Sequence, residues 1–270
     1  MSDPKTQTPD YDLRFGGIGR LYGTAAMRRL QGAKVAVVGI GGVGSWTAEG
    51  LARSGVGEIH LIDLDDVCQT NTNRQLHALV DTVGSLKVDA MGDRIGAINP
   101  QCRVRPVVDF FTQTSASKLI TADLDFVVDA IDGFRNKCLL IMRCAEVGVP
   151  LVVCGGAGGR RDPSRIRVED LARTVGDRLL HRVRKQLRQK NGYPRGGRKF
   201  GVPTVFSDEP PIFPTSDGGI CERPEVGTSL VLDCQSGYGT ASFVTGAFGL
   251  TAASVVVGAL ASPENSPEDP

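Results

Sequence analysis

Short apolar runs alternate along the first half of the chain with longer segments that mix apolar and polar positions at helical spacing. Residues 34–38 form one such run, which ends in glycine, and an alanine-rich helical mixture follows at 43–53. A strand, a tight turn and a helix are predicted there. The same reading predicts strand 58–62, helix 83–98, strands 103–108 and 124–131, helix 136–147 and strand 151–154. Alternation sustained over about 120 residues predicts an α/β fold, Rossmann-like and doubly wound, with a largely parallel sheet and right-handed crossovers.

Beyond residue 159 the pattern changes. A basic helix is predicted at 177–190, then a mobile Gly/Pro/basic loop at 191–203, and short strands at 204–206 and 230–232 within an irregular C-terminal subregion. One domain is expected over 11–261, with a nucleotide-binding core at 30–160 and a basic and C-terminal subregion at 161–261; 1–10 and 262–270 read as flexible ends. Residues 243–261 carry no charge over a length that just reaches a bilayer span. Their Gly, Ala, Ser and Thr content makes transfer into lipid weak, so a helix buried against the sheet is the more economical reading and a membrane span the alternative.

Composition narrows this picture. With 41% hydrophobic residues in 270, the chain can bury a sizeable core, and its 34 glycines gather in short clusters that suit loops approaching a ligand. Seven cysteines form no C-x-x-C pair, and no secretory signal opens the chain, which implies reduced thiols, a cytoplasmic setting, and neither a zinc ribbon nor a disulfide framework. The formal charge of +1 hides an asymmetry: residues 160–199 hold fourteen Lys/Arg against four Asp/Glu. Either a polyanion docks there or the run is a solvated helix face.

Candidate chemistry starts at Gly39, Gly41, Gly42 and Gly44, which fit G-x-G-x-x-G at the first strand-to-helix junction, where backbone amides can approach a phosphate. Asp63, at the end of the next strand, suits a carboxylate on ribose hydroxyls, so NAD-type binding stays open at this point. The stretch 63–75 is harder to fit to a dehydrogenase. Hydride transfer has no use for its Asn71 and Arg74, whereas triphosphate chemistry uses such groups, together with Lys87 at a helix start and Asp132 at the end of a later strand.

The glycine turn, the D-x-D-x-V-x-x-x-N-x-x-R-Q run at 63–75, Lys87 and the Asp132 region together resemble the ubiquitin-activating-enzyme-like adenylating superfamily. Within it, 14–23 (Arg-Phe-Gly-Gly-Ile-Gly-Arg-Leu-Tyr-Gly), 70–75 (Thr-Asn-Thr-Asn-Arg-Gln), 155–159 (Gly-Gly-Ala-Gly-Gly) and 233–237 (Asp-Cys-Gln-Ser-Gly) resemble the tRNA threonylcarbamoyladenosine dehydratase branch. The resemblance implies ATP and Mg2+ as cofactors, adenylation of the threonine carboxylate of threonylcarbamoyladenosine in tRNA, and cyclisation with net loss of water. It implies Gly39, Gly41, Gly42 and Gly44 around the phosphates, Asp63 on ribose, and Asn71, Arg74 and Lys87 on the triphosphate. Asp132 would lie near magnesium, and Arg20 would reach the ATP of the other subunit of a homodimer. Arg74, Lys87 and Asp132 are then the catalytic candidates.

A monovalent cation, Na+ or K+, is implied near Gly237 and Gly239, and a cysteine-desulfurase or sulfur-acceptor partner is a further implication. Cys234 has no sequence-near histidine to activate it and reads equally as a structural thiol. The tRNA candidates are Arg182, Arg184, Lys185, Arg195, Arg198 and Lys199, basic residues able to neutralise a phosphate backbone. Two alternatives remain: adenylation of a ubiquitin-like sulfur carrier, against which the missing paired zinc cysteines count, and an NAD-dependent oxidoreductase or nucleotide-sensing module.

Overall fold

A computed structural model describes residues 10–224 and 239–262. The elements run α1 (Tyr11–Tyr22), α2 (Thr24–Gly32), β1 (Lys34–Val38), α3 (Gly42–Arg53), β2 (Glu58–Ile62), α4 (Lys87–Ile98), β3 (Arg103–Val107), α5 (Ala116–Leu119), β4 (Phe126–Asp129), α6 (Phe134–Val147) and β5 (Leu151–Cys154). They continue with β6 (Ile166–Asp170), α7 (Arg178–Lys190), β7 (Pro203–Ser207), β8 (Phe213–Pro214), β9 (Ile220–Cys221) and α8 (Ser242–Ala261). Seven strands form one sheet in the order β3-β2-β1-β4-β5-β7-β6, parallel except for β6, which runs antiparallel to β7. β8 and β9 pair separately as a short antiparallel ribbon.

Period-two side-chain alternation sorts the strands into two faces. Val35 and Val37 of β1, Ile59 and Leu61 of β2 and Val128 of β4 pack with residues of α3, α4 and α8. Ala36, Val38, Ile62 and Val127 join α6 and α7 on the other side through Leu140, Ile141, Leu180 and Val183. Both faces are covered, which is the doubly wound arrangement the alternation predicts.

Three differences from the predicted elements have local causes. Helices α1 and α2 fill a region read only as a motif, because the glycines of α1 mask its helical signal; the Asp10 carboxylate caps it by accepting from the amides of Asp12 and Leu13. Tyr11 then donates from its hydroxyl to the Gly55 carbonyl at 2.7 Å, fixing α1 against the end of α3. Residues 83–86 stay outside α4, where Gly84 takes φ +88° in a turn. The region after 160 also supplies β6 and β7 to the main sheet, so the sheet extends well past the predicted irregular boundary. The strand predicted at 230–232 lies outside the described residues.

α8 is long and apolar enough to cross a membrane by length and composition, and half of it is buried within the fold. It packs chiefly along α3, and also against α2, β5 and β7. Small residues set the spacing: a Cβ at Gly249 would lie 2.5 Å from the Val43 carbonyl oxygen and 2.6 Å from Trp46 Cβ, and one at Gly50 would lie 2.7 Å from Ala253 Cβ. The Arg29 guanidinium donates to the carbonyls of Leu260 and Ala261, supplying partners that the last turn of α8 lacks. Gly249→Ala is therefore expected to cost about 2 kcal/mol by forcing α8 off α3. Gly258→Ala, with open space at its Cβ, should stabilise the same helix by up to about 1 kcal/mol. Thermal denaturation of the two variants checks both signs.

Candidate functional site

The order of strands reverses between β1 and β4, and a cavity of about 780 Å³ opens there at the C-terminal edge of the sheet. Its floor is the turn from β1 into α3. Gly39 takes φ +91° and approaches β4 so closely that a Cβ would sit 2.8 Å from the Ala130 carbonyl oxygen. Gly44 lies behind the turn, where a Cβ would collide with the Gly39 carbonyl oxygen at 1.8 Å. Gly41 differs: it lines the cavity, and its missing Cβ would meet nothing within 4 Å. Gly39, Gly41 and Gly42 thus face the cavity, and Gly44 closes the turn beneath them.

Carboxylates and cations ring this floor. Asp63 follows β2 and accepts from the Ile40 amide at 2.6 Å and the Asp65 amide at 2.9 Å, so it binds the glycine turn to the end of the neighbouring strand. Lys87, buried at the first position of α4, donates to Asp65 at 2.6 Å. Asn71 is also buried; its side-chain oxygen accepts from the Cys68 amide and holds the short 3-10 turn Gln69–Asn71. That turn presents Arg74, whose guanidinium donates to the Thr70 carbonyl at 2.8 Å and the Asn73 side chain at 3.1 Å. The Arg74 carbonyl accepts from Trp46 of α3 and Thr245 of α8, so the site hangs on the α3–α8 pair.

Asp132 lines the cavity beyond β4 with its side chain open to it. Enclosure by the surrounding walls raises its pKa, and the positive charges of Lys137, Arg74 and Lys87 oppose that rise. Beneath it lies a fully buried ion pair in which Lys137 of α6 donates to Asp129 at 2.8 Å. Burial raises the Asp129 carboxyl, against the pull of Lys137. Among the described residues no three His, Cys, Asp or Glu side chains converge as a metal-binding group.

The crevice is open over Gly41 and ringed by cations and carboxylates. The sequence profile of the ThiF family matches residues 17–262. The chain belongs to the ThiF family. It is 48% identical over 243 residues to the tRNA threonylcarbamoyladenosine dehydratase of Escherichia coli K12, covering 89% of this chain and 91% of that protein. The Bacillus subtilis protein of the same name is 43% identical over 205 residues, covering 76% and 77% of the two chains. A crystal structure of the E. coli dehydratase in complex with ATP superposes with a TM-score of 0.82 at 44% identity, covering 92% of this chain and 94% of that one.

This ThiF-family chain does not bring Arg20 to its own cavity; the residue is exposed in the last turn of α1. Of the basic candidates, Arg182, Lys185, Arg195, Arg198 and Lys199 are exposed, and Arg184 is half-buried, donating to the Thr174 hydroxyl. Burial lowers the Arg184 pKa, with the charge of Arg188 adding to the effect. The loop tip around Arg195 is held at its far end by Asp170. Burial would raise that carboxyl, but the amides of Phe200, Ala172, Gly201 and Val202 all donate to it and keep it below the usual carboxylate range. Cys234 and Gly237 lie outside the described residues.

Several lining residues were not among the sequence candidates. Phe110 and Phe111 form an apolar wall after β3, Gly155 and Gly158 continue the floor beyond β5, and Asn136 and Thr245 complete the rim. Helical or strand periodicity carries no sign of the first pair, which sits in a loop. The 155–159 glycine cluster was visible, and its role follows only once β5 is known to lie beside β4.

Two expected outcomes follow from this geometry. Gly44→Ala should lower stability by 2 kcal/mol or more, about the cost of a backbone clash, whereas Gly41→Ala should fold within about 0.5 kcal/mol of the parent yet bind ATP more weakly; calorimetry and ATP titration separate them. His77 is buried beside the site with neither ring nitrogen partnered among the described residues. Burial, helped by the charge of Lys87, pulls its pKa from 6.5 down to about 4. The unfolded chain therefore takes up this proton first as pH falls, and stability declines from about pH 6.5 down to about pH 4. Denaturant unfolding should show a loss of about 2 kcal/mol between pH 7 and 5 from this group, absent in His77→Leu.

Proposed function

We propose that the protein is an ATP-dependent tRNA threonylcarbamoyladenosine dehydratase, which adenylates the threonine carboxylate of the modified nucleoside and releases the cyclised product. The observation that carries this is the convergence of Asp63, Asn71, Arg74, Lys87 and Asp132 around the open position at Gly41. A hydride-transfer site has no use for that set. The 48% identity to the E. coli dehydratase supports the same substrate.

A carboxylate is a poor electrophile, and its oxygen is a poor leaving group. Attack of that oxygen on the α-phosphorus of ATP forms the acyl-adenylate and expels pyrophosphate. The carbamoyl group of the same nucleoside then closes on the acyl carbon and AMP leaves, so the net change is loss of one water. The second step is intramolecular and gains from effective molarity. In this reaction the amides of the Gly39–Gly42 turn and the α3 N-terminus receive phosphate, Asp63 accepts from ribose, and Arg74, Lys87 and Asn71 neutralise and orient the triphosphate. Lys87 exchanges its Asp65 partner, whose carboxylate is solvent-exposed, for phosphate oxygens, so the buried ammonium keeps an anionic partner throughout.

Mg2+ fits the donor set, since it is commonly held by one or two carboxylates together with substrate phosphates; Asp132 is the ligand proposed, and the ion would neutralise charge on the departing pyrophosphate. Arg20, exposed on α1 and outside its own chain's cavity, supports a homodimer in which it reaches the ATP of the other subunit. The exposed Lys185, Arg195, Arg198 and Lys199 dock the tRNA backbone in the cytoplasm, and Arg182 meets the same RNA. Arg184 holds α7 to Thr174.

Incubation with ATP, Mg2+ and tRNA bearing threonylcarbamoyladenosine, followed by digestion and nucleoside mass measurement, tests the proposal. The nucleoside should lose the mass of one water, and Arg74→Ala should slow that loss by about 10²–10³-fold. An unchanged mass with verified substrate overturns it.

A further inference from the structure

We infer that the guanidinium of Arg182, stacked on Phe134 at the rim of the adenylation pocket, is a platform for a nucleobase and not a phosphate contact. Phe134 is the first residue of α6, adjacent to the cavity-lining Gly133 and two residues beyond Asp132. The Arg182 guanidinium carbon lies 4.0 Å from the centroid of the Phe134 ring, which is van der Waals contact with its face. The other guanidinium-on-ring contacts lie at 5.0 to 5.9 Å. Arg188, over Phe200, spends its donors on the carbonyls of Pro194 and Ala172. Arg182 is exposed and makes no hydrogen bond or ion pair among the described residues, so the ring contact holds its guanidinium while the side chain stays accessible to solvent.

The platform's place relative to the pocket is fixed by a second contact. Asp177, the N-cap of α7, accepts from the Leu180 amide at 2.9 Å and from the Gly156 amide at 2.8 Å, and Gly156 sits between cavity-lining Gly155 and Ala157. Arg182 follows Asp177 by five residues, about 7.5 Å along the helix axis. The basic helix is thereby registered to the wall of the reaction pocket at two points, one on the β5 side and one on the β4 side.

The chemistry of the proposed substrate requires such a surface. A nucleoside within a tRNA loop must leave its stack to bring its carboxylate into the crevice, and proteins that hold splayed bases do so on aromatic rings or guanidinium planes. Arginine serves here and lysine does not, because the ammonium has no plane. The proposal rests on the tRNA reading above, and its test separates the two.

Arg182→Lys preserves charge and removes the plane; Arg182→Ala removes both; Phe134→Leu keeps an apolar side chain and removes the ring beneath the guanidinium. The readouts are the affinity of a threonylcarbamoyladenosine-bearing anticodon stem-loop as a function of salt, turnover of the same RNA, and ATP affinity. Arg182→Lys and Phe134→Leu are each expected to weaken RNA binding about tenfold, with the slope of log affinity against log salt unchanged and ATP affinity as in the parent. If Arg182→Lys binds like the parent while Arg182→Ala lowers the salt slope by about one, the residue is a phosphate contact and the platform is overturned. If Phe134→Leu weakens ATP binding while Arg182→Lys leaves RNA binding intact, the ring serves the pocket wall only, and the inference again fails. Failure of the unaltered protein to act on the RNA overturns the tRNA reading itself, whereas turnover by the parent with an unaffected Arg182→Lys overturns the platform alone.

Discussion

The close approach of the β1–α3 turn to the end of β4 governs the geometry of the site. A single added carbon at Gly39 would press on the Ala130 carbonyl, and one at Gly44 would overlap the turn itself. With both absent, α3 starts at the crevice, which Gly41, Gly42 and Val43 line. Asp63 then binds the end of β2 to the same turn through the Ile40 amide, so the strands flanking the crevice are locked to one another by backbone and carboxylate without any bulky side chain intervening. α8 extends this arrangement: its glycine contact with α3 and the Thr245 bond to the Arg74 carbonyl carry the position of α3 on to the arginine.

On the proposed reading, charge in the crevice is available for exchange. Lys87 holds an exposed carboxylate and Arg74 holds backbone and side-chain oxygens, all partners that a polyphosphate can replace. Lys137 and Asp129 behave differently, being fully buried and mutually paired. Removing one member of such a pair leaves an uncompensated charge, so this pair belongs to the architecture under Asp132 and not to the exchangeable set. The same division appears among the basic residues outside the crevice, where Arg184 and Arg188 are committed to internal acceptors while Lys185, Arg195 and Lys199 make no side-chain hydrogen bond among the described residues.

Much of this was legible in the sequence because its signals are local. The strand at 34–38 and the glycine turn after it were visible as periodicity and composition, and the 63–75 run as a motif; the turn and the run line the crevice, and the strand leads into it at Val38. What was not legible depends on chain segments meeting across the fold. β6 carries period-two alternation at 166–168, but Arg167 merged with the surrounding basic stretch, and only pairing with β7 gives the strand an identity. The glycines of α1 hid a helix that is held by its Asp10 cap and by the Tyr11 contact with Gly55. Phe110 and Phe111 were missed because loop residues have no period, and they enter the cavity only because β3 stands beside β2.

Asp170 illustrates how a surface loop can be independent of the fold that carries it. Its two oxygens collect four backbone amides, one from the turn after β6 and three from the end of the basic loop. The Tyr193–Phe200 ring contact, with centroids 5.0 Å apart, closes the base of the same loop. Residues 195–199 therefore hang from a clamp whose holding power does not depend on their side chains. The consequence is modularity: the length and basicity of that tip can be changed without altering the sheet or the crevice, so on the proposed reading RNA preference and catalytic chemistry can be varied separately.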